Sequence, residues 1–245
     1  MFGVLRALAK FLPNHFGVTV VVTSCSRHDL LDRTLSSFFQ FNTFPIANFI
    51  VVEDGVKIAE KLANKFEFLR IKWLSTGRRV GQIAAIDYAY SRVDTSFIFH
   101  MEDDWEFYKS GFIEKSMQIL RLHSDCLQVW IRATDDTNDH PLEPRVYKEL
   151  GISWKKLTFN YHSGKFHGFS FNPGLRRFSD YIATNGYGSI ESFDFKLPLK
   201  AEIAIGRFFK DKGMFAAILI DNGGSGYVRH TGDDRQTLSP SEQAL

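Results

Sequence analysis

Three consecutive carboxylates, Glu102-Asp103-Asp104, stand close behind the apolar run Ser96-Phe97-Ile98-Phe99. That run reads as a buried strand, and unpaired charge inside a sheet is costly, so the acids belong at its carboxyl end. Open α/β sheets bind ligands in the crevice at that end. Hard oxygen donors grouped there suit Mg²⁺ or Mn²⁺ carrying phosphate oxygens. The competing reading is a solvated turn that caps a following helix. The triplet alone does not choose between them. Two further polar groups lie in equivalent places: Glu53-Asp54 after Phe49-Ile50-Val51-Val52, and residues 23–28 (Thr-Ser-Cys-Ser-Arg-His) after Val18-Thr19-Val20-Val21-Val22. A purely structural sheet gives no reason for that recurrence.

The elements that must position these groups follow from periodicity. Residues 18–22, 49–52 and 96–99 are short apolar runs, long enough for buried strands and too short to span a membrane. A third strand is predicted near residues 68–74. Helices between them are marked by Leu31, Leu35 and Phe38, with Asp29 as the expected cap, by Ile58 and Leu62, and by Ile83, Ile86 and Tyr90. Strand and helix thus alternate through the first hundred or so residues, which predicts an α/β fold with a mostly parallel, doubly wound sheet. Beyond Asp104 the pattern predicts a helix through Ile113, Met117 and Leu120 and strands at 127–131, 166–171 and 215–220. A helix is predicted over 198–209, with Ala201, Ile205 and Phe208 in line, and residues 134–165 read as a long irregular loop. No composition break marks a linker, and one mixed α/β domain is the simplest organisation.

Composition excludes several classes. Net charge is +2, and no basic block or zinc-ligand spacing is present, so nucleic acid is not an expected partner. The two cysteines, Cys25 and Cys126, fit a reducing compartment and a cytoplasmic location. Residues 2–12 read as an amphipathic helix broken by Arg6 and Lys10; packing on the domain is the favoured role, and contact with the inner membrane face the alternative. The 24 phenylalanines point to a deep core, with a few available as platforms for sugar rings. No GxGxxG, GxxxxGK[ST] or HExxH is present, and Gly-Gly-Ser-Gly-Tyr around Ser225 falls short of GxSxG. Hydride transfer, P-loop phosphoryl transfer and serine hydrolysis therefore lose ground.

With acids after its second strand and an acidic triplet after its fourth, the chain resembles the GT-A glycosyltransferases, in particular the inverting family 2 type. The resemblance is closest over residues 18–105 and looser over 166–232. It implies a nucleotide-binding half (18–105), an acceptor and catalytic half (106–237) and a flexible tail (238–245). It implies that Thr23, Ser24, Arg27, Glu53, Asp54, Gln82 and Asp103 hold the nucleoside, and that Asp104, Glu102 and His230 hold Mn²⁺ or Mg²⁺ on the donor diphosphate. By the same resemblance Glu202 is the catalytic base, with Glu191 and Asp194 as alternatives, Arg78, Arg79 and Arg229 contact diphosphate, and Trp105 stacks on the acceptor. The implied reaction moves a sugar from a UDP or GDP donor to a hydroxyl of a polysaccharide, lipid-linked saccharide or protein. The processive-synthase motif QxxRW is missing, which favours single transfers. A nucleotide-binding protein without transferase activity is the alternative, and a sugar nucleotidyltransferase a more distant one.

Overall fold

A computed structural model describes residues 14–56, 60–137, 140–158, 168–190, 198–221 and 223–232, with side chains from residue 17 and, in the last helix, from residue 200. The expected helix over 2–12, the tail 238–245, Ile58, and both Glu191 and Asp194 lie outside the described residues.

The first half follows the expected alternation: β1 (Asn14–Ser24), α1 (His28–Phe41), β2 (Asn48–Glu53), α2 (Glu60–Lys65), β3 (Ile71–Ser75), α3 (Gln82–Tyr90) and β4 (Thr95–Glu102). Then come β5 (Trp105–Phe107), α4 (Phe112–Leu122), β6 (Cys126–Trp130), β7 (Tyr147–Glu149), β8 (Ile152–Lys156), β9 (Gly174–Arg177), α5 (Phe178–Ile182), α6 (Pro198–Lys210), β10 (Phe215–Ile220) and β11 (Val228–His230). Nine strands form one sheet in the order β3-β2-β1-β4-β9-β6-β10-β8-β7, and β5 pairs with β11 in a small second sheet. β1 to β4 are mutually parallel, and β9 runs antiparallel between β4 and β6.

Burial on both faces explains the unbroken β-branched run of β1. Val18, Val20 and Val22 face one apolar cluster, shared with Leu31, Leu35 and Phe38 of α1 and Ile113, Met117 and Leu120 of α4. Val21 faces the other, shared with Ile83, Ile86 and Tyr90 of α3 and Ala201, Ile205 and Phe209 of α6. Such two-sided burial is the rule for parallel strands. Phe38 is edge-on to Phe49, Phe107 and Phe112, which accounts for much of the phenylalanine excess.

Four expectations are corrected. Residues 168–171 form no strand; the strand of that region is β9, whose Arg176 and Arg177 gave no apolar signal. The irregular stretch 134–165 contains the hairpin β7–β8 at the sheet edge, where polar residues are tolerated. Asp29 lies inside the first turn of α1, which begins at His28 without a side-chain cap. The third strand starts at Ile71, because residues 67–69 form a 3₁₀ turn.

Candidate active site

The acid triplet is not a solvated cap. Glu102 is the last residue of β4, Asp103 and Asp104 form a tight turn, and the chain continues as strand β5 instead of a helix. Asp103 is 0% exposed and Asp104 5%. Thr34 of α1 pins the turn: its hydroxyl donates to the Asp103 carbonyl (2.7 Å) and accepts from the Trp105 N–H (3.1 Å). Buried carboxylates need cations or donors, and Arg27, on the loop after β1, supplies both. Its guanidinium forks across the pair, donating to Asp104 Oδ2 at 2.7 Å and to Asp103. The Cys25 N–H adds a bond to Asp103 Oδ2 (3.3 Å).

On the far side stands His230. The antiparallel pairing of β11 with β5 sets His230 opposite Trp105, and its Nε2 lies 3.2 Å from Asp104 Oδ2. Thr231 donates its N–H to the Asp104 carbonyl (2.8 Å). The next residue must be glycine for this approach, since a Cβ on Gly232 would stand 2.5 Å from Asp104 Oδ2. These neighbours separate the two aspartates electrically. Burial pushes Asp103 up to about 6 despite Arg27. Burial also acts to raise Asp104, but the His230 hydrogen bond and the Arg27 charge outweigh it and hold that carboxyl below its usual value. Asp104 Oδ1 is buried and has no hydrogen-bond partner.

Glu102 sits differently from its expected role as a metal ligand. Neutral donors hold it: Gln82 Nε2 to Oε1 (2.7 Å) and the Trp105 indole N–H to Oε2 (3.4 Å). Burial, with the charges of Asp104 and Glu202, pushes its carboxyl up to about 8. Gln82 therefore meets the site through Glu102. Of the three expected ligands, Asp104 and His230 come together, and among the described residues no group of three or more His, Cys, Asp or Glu could hold a metal ion. Trp105 is also corrected. It is 1% exposed, wedged between the Arg132 guanidinium (5.0 Å) and the His230 ring (5.0 Å), and offers no open face to an acceptor sugar.

Among the residues expected to hold the nucleoside, Glu53 accepts at Oε1 from the Ser26 N–H (2.6 Å), and His28 Nε2 lies 3.8 Å from its Oε2. Thr23 and Ser24 end β1, in register with Glu102 and Glu53. Asp54 is a loop clamp: its Oδ1 accepts from the Val80 N–H (2.8 Å) and the Thr76 hydroxyl (3.2 Å), its Oδ2 from the Gly81 N–H (2.9 Å). That loop carries Arg78 and Arg79, both exposed at its tip. Arg229 points away from the acids, because alternate residues of a strand face opposite ways; it pairs with Glu106 at 2.7 Å on the surface. Arg27 is the arginine that reaches the triplet.

Glu202 is the fifth residue of α6, beyond its first turn. It accepts from the Ser170 hydroxyl (3.0 Å) and the Phe171 N–H (2.7 Å). Burial pushes its carboxyl up to about 7, opposed by those two donors and by the charges of Arg176 and Arg132. Thr34, Arg132, Ser170 and Arg176 had no marker in the sequence, since none belongs to a motif and each acts on a residue far away in the chain.

The Glycosyl transferase family 2 model matches residues 19–181, well over half of the chain. No curated protein matches the sequence. Solved structures of similar fold include residues 1–349 of TarS from S. aureus in complex with UDP-GlcNAc (13% identity, TM-score 0.58, covering 86% of this chain and 58% of that one). The same TarS segment with UDP is comparable (14%, 0.56, 86% and 60%). So is the mannosyltransferase PcManGT from Pyrobaculum calidifontis with GDP-Man and Mn²⁺ (10%, 0.58, 91% and 65%). This chain therefore spans 58% to 65% of the length of these structures. Their likeness is one of fold. The chain belongs to glycosyl transferase family 2 and has its GT-A fold.

Proposed function

We propose that this protein transfers a sugar from a nucleoside-diphosphate sugar to an acceptor hydroxyl, with inversion at the anomeric carbon. The observation that carries the reading is the acid cluster at the end of β4: Arg27 and His230 clamp Asp104 and hold its carboxyl low, while Glu202, facing Glu102 of the same cluster, is pushed up to about 7 by burial. Environments that push two acids apart are how a fold assigns an electrostatic anchor and a base. Glu202 accepts the proton of the attacking hydroxyl, and a value near working pH suits that role. The new bond forms between the acceptor oxygen and the anomeric carbon, and the bond to the diphosphate breaks on the opposite face. Arg27 supplies charge-assisted hydrogen bonds to the departing anion.

The unpartnered Asp104 Oδ1 fits Mn²⁺ or Mg²⁺, with the His230 imidazole held at the other oxygen of the same carboxylate. Such ions bind through one or two protein groups plus substrate phosphates. A bound ion would act as a Lewis acid on the diphosphate. Similar structures hold UDP, UDP-GlcNAc and GDP-Man with Mn²⁺, which supports a UDP or GDP donor here. The acceptor is a saccharide, a lipid-linked saccharide or a protein hydroxyl. No helix among the described residues is long and apolar enough to cross a membrane.

Transfer and donor hydrolysis with UDP and GDP sugars, with and without EDTA, test this reading. Asp104→Asn is expected to abolish the metal-dependent part of nucleotide binding. Glu202→Gln is expected to keep binding and lower turnover about 10²–10⁴-fold, the usual worth of a general base. Nucleotide binding without transfer or hydrolysis of any donor would make the chain a binding protein, and wild-type turnover in both variants would remove the assigned roles.

A further inference from the structure

Arg176 is a full charge set in the middle of the large sheet. It lies on β9, in register with Ile98 of β4 on one side and Gln128 of β6 on the other, and is 2% exposed. Its Nη2 donates to the Ser170 carbonyl (3.0 Å), and its guanidinium lies 5.1 Å from the Phe169 ring. Its Nε and Nη1 are buried with no hydrogen-bond partner among the described residues. A buried charge with unmatched donors is costly, and an apolar residue of similar volume is often neutral or better for stability. The position therefore calls for a role beyond packing.

That role is visible in what Ser170 does. The Ser170 carbonyl receives Arg176, and the Ser170 hydroxyl accepts from the Asn172 N–H (3.1 Å) and donates to Glu202 (3.0 Å). With its lone pair committed to Asn172, the hydroxyl turns its proton toward Glu202, the arrangement an ionised carboxylate favours. Gln128, the cross-strand neighbour of Arg176, completes the clamp when its oxygen faces the Ser170 N–H (3.0 Å) and its nitrogen the Ser170 carbonyl (3.2 Å). Asp87 of α3, the nearby acid, is taken up by the N–H groups of Tyr187 and Gly188.

We propose that Arg176 is a positioning residue for Glu202, fixing the 168–171 segment through Ser170 and setting a positive charge within the sheet that favours the carboxylate form of Glu202. The inference rests on the reading of Glu202 as the base. Glu202 faces Arg176 from β9, Arg132 from the segment after β6, and Glu102 from the end of β4. Arg176 in turn hydrogen-bonds Tyr187 and faces Tyr90 of α3 and His100 of β4, whose ring burial keeps neutral. Arg132 is equally buried, but its charge is shared with Asp136 (3.2 Å), whereas Arg176 is in salt-bridge contact with no carboxylate among the described residues.

The test is the titration of the Glu202 carboxyl, followed by ¹³C NMR in protein labelled at glutamate and assigned by loss of the signal in Glu202→Gln. Arg176→Gln keeps an amide donor for Ser170 and removes the charge; Arg176→Lys keeps the charge. Glu202 is expected to titrate about one pH unit or more higher in Arg176→Gln, with a smaller shift in the lysine variant. The acid limb of kcat/KM should move by the same amount, while nucleoside-diphosphate binding in Mn²⁺ stays at the wild-type level. An unmoved titration in folded Arg176→Gln overturns the proposal. Should that variant not fold, Arg176→Lys decides, because it loses the planar donor to the Ser170 carbonyl: a raised titration supports the positioning role and an unchanged one overturns it. A shifted titration with an unshifted pH–rate profile keeps the positioning role and removes Glu202 as base, so the two failures are separable.

Discussion

Gly232→Ala probes the tightest contact in the site. The added Cβ would stand 2.5 Å from Asp104 Oδ2, 2.8 Å from its Cβ and 2.9 Å from its Cγ. Carbon atoms pack comfortably at about 3.5–4.0 Å, so Asp104 or the strand end must give by roughly 0.7–1 Å. Neither is free to move. Asp104 is fixed by Arg27 at 2.7 Å and His230 at 3.2 Å, and the strand end by the Thr231 N–H on the Asp104 carbonyl at 2.8 Å. Overpacking of this kind costs about 1–3 kcal/mol, or about 2–12 °C in Tm for a chain of this length. The effect on function should be larger than that on stability, since a displacement of about 1 Å at a positioned group costs about 10²-fold in rate. Thermal unfolding and donor turnover, measured on the same preparation with Mn²⁺ present, check both. A variant that melts and turns over like the wild type would mean that the backbone after β11 does not press on Asp104, and the coupling of β11 to the acid turn would have to be abandoned.

Two further outcomes follow from the buried acids. Glu102 has a folded value near 8 against 4.5 for an ordinary glutamate, so between those values the folded state holds a proton that the unfolded chain has released; stability falls as pH rises through that window. Glu102→Gln should therefore melt like the wild type near pH 5 and higher than it at pH 8.5, by about 3–6 °C if a third of the shift is recovered, and an equal difference at both values would refute the assignment. Thr34→Val leaves the Asp103 carbonyl and the Trp105 N–H, now bonded at 2.7 and 3.1 Å, without their partner; about 2–4 kcal/mol of stability should be lost, readable as a lower denaturation midpoint at unchanged slope.

The parallel half of the sheet was legible because strands buried on both faces carry their signal in every residue. Val20 and Val21 face opposite clusters and both are apolar. β9 was illegible for the opposite reason. Arg176 is buried for its charge, and Arg177 donates to the carbonyls of Cys126 and His123 at 2.6 Å each, closing the end of α4. Neither function leaves a period in the sequence. β11 is three residues long, and its partner β5 lies more than a hundred residues earlier. Among the site residues, strand-end position marked the acids but not their duties. Asp54 and Glu53 are adjacent and chemically alike, yet Asp54 bonds the 76–81 loop while Glu53 bonds the loop after β1. Only the long-range partners separate them.

The division of labour at Asp104 joins the cationic and the metal readings of the site. Arg27 and His230 both approach Oδ2, while Oδ1 is buried and unpartnered. A carboxylate has about four lone-pair positions, two on each oxygen, so a divalent ion on Oδ1 need not evict the guanidinium from Oδ2. Arg27 fixes the carboxylate plane and favours its ionised form, and a bound ion would take the remaining, unpartnered oxygen. A lysine at position 27 would keep the charge but lose the planar fork across Asp103 and Asp104. Asp103 marks what that fork is worth, because even beside Arg27 its burial holds it near 6. Without the fork, two adjacent buried carboxylates would compete for protons, and one of them would be neutral at the pH where a metal site must be charged.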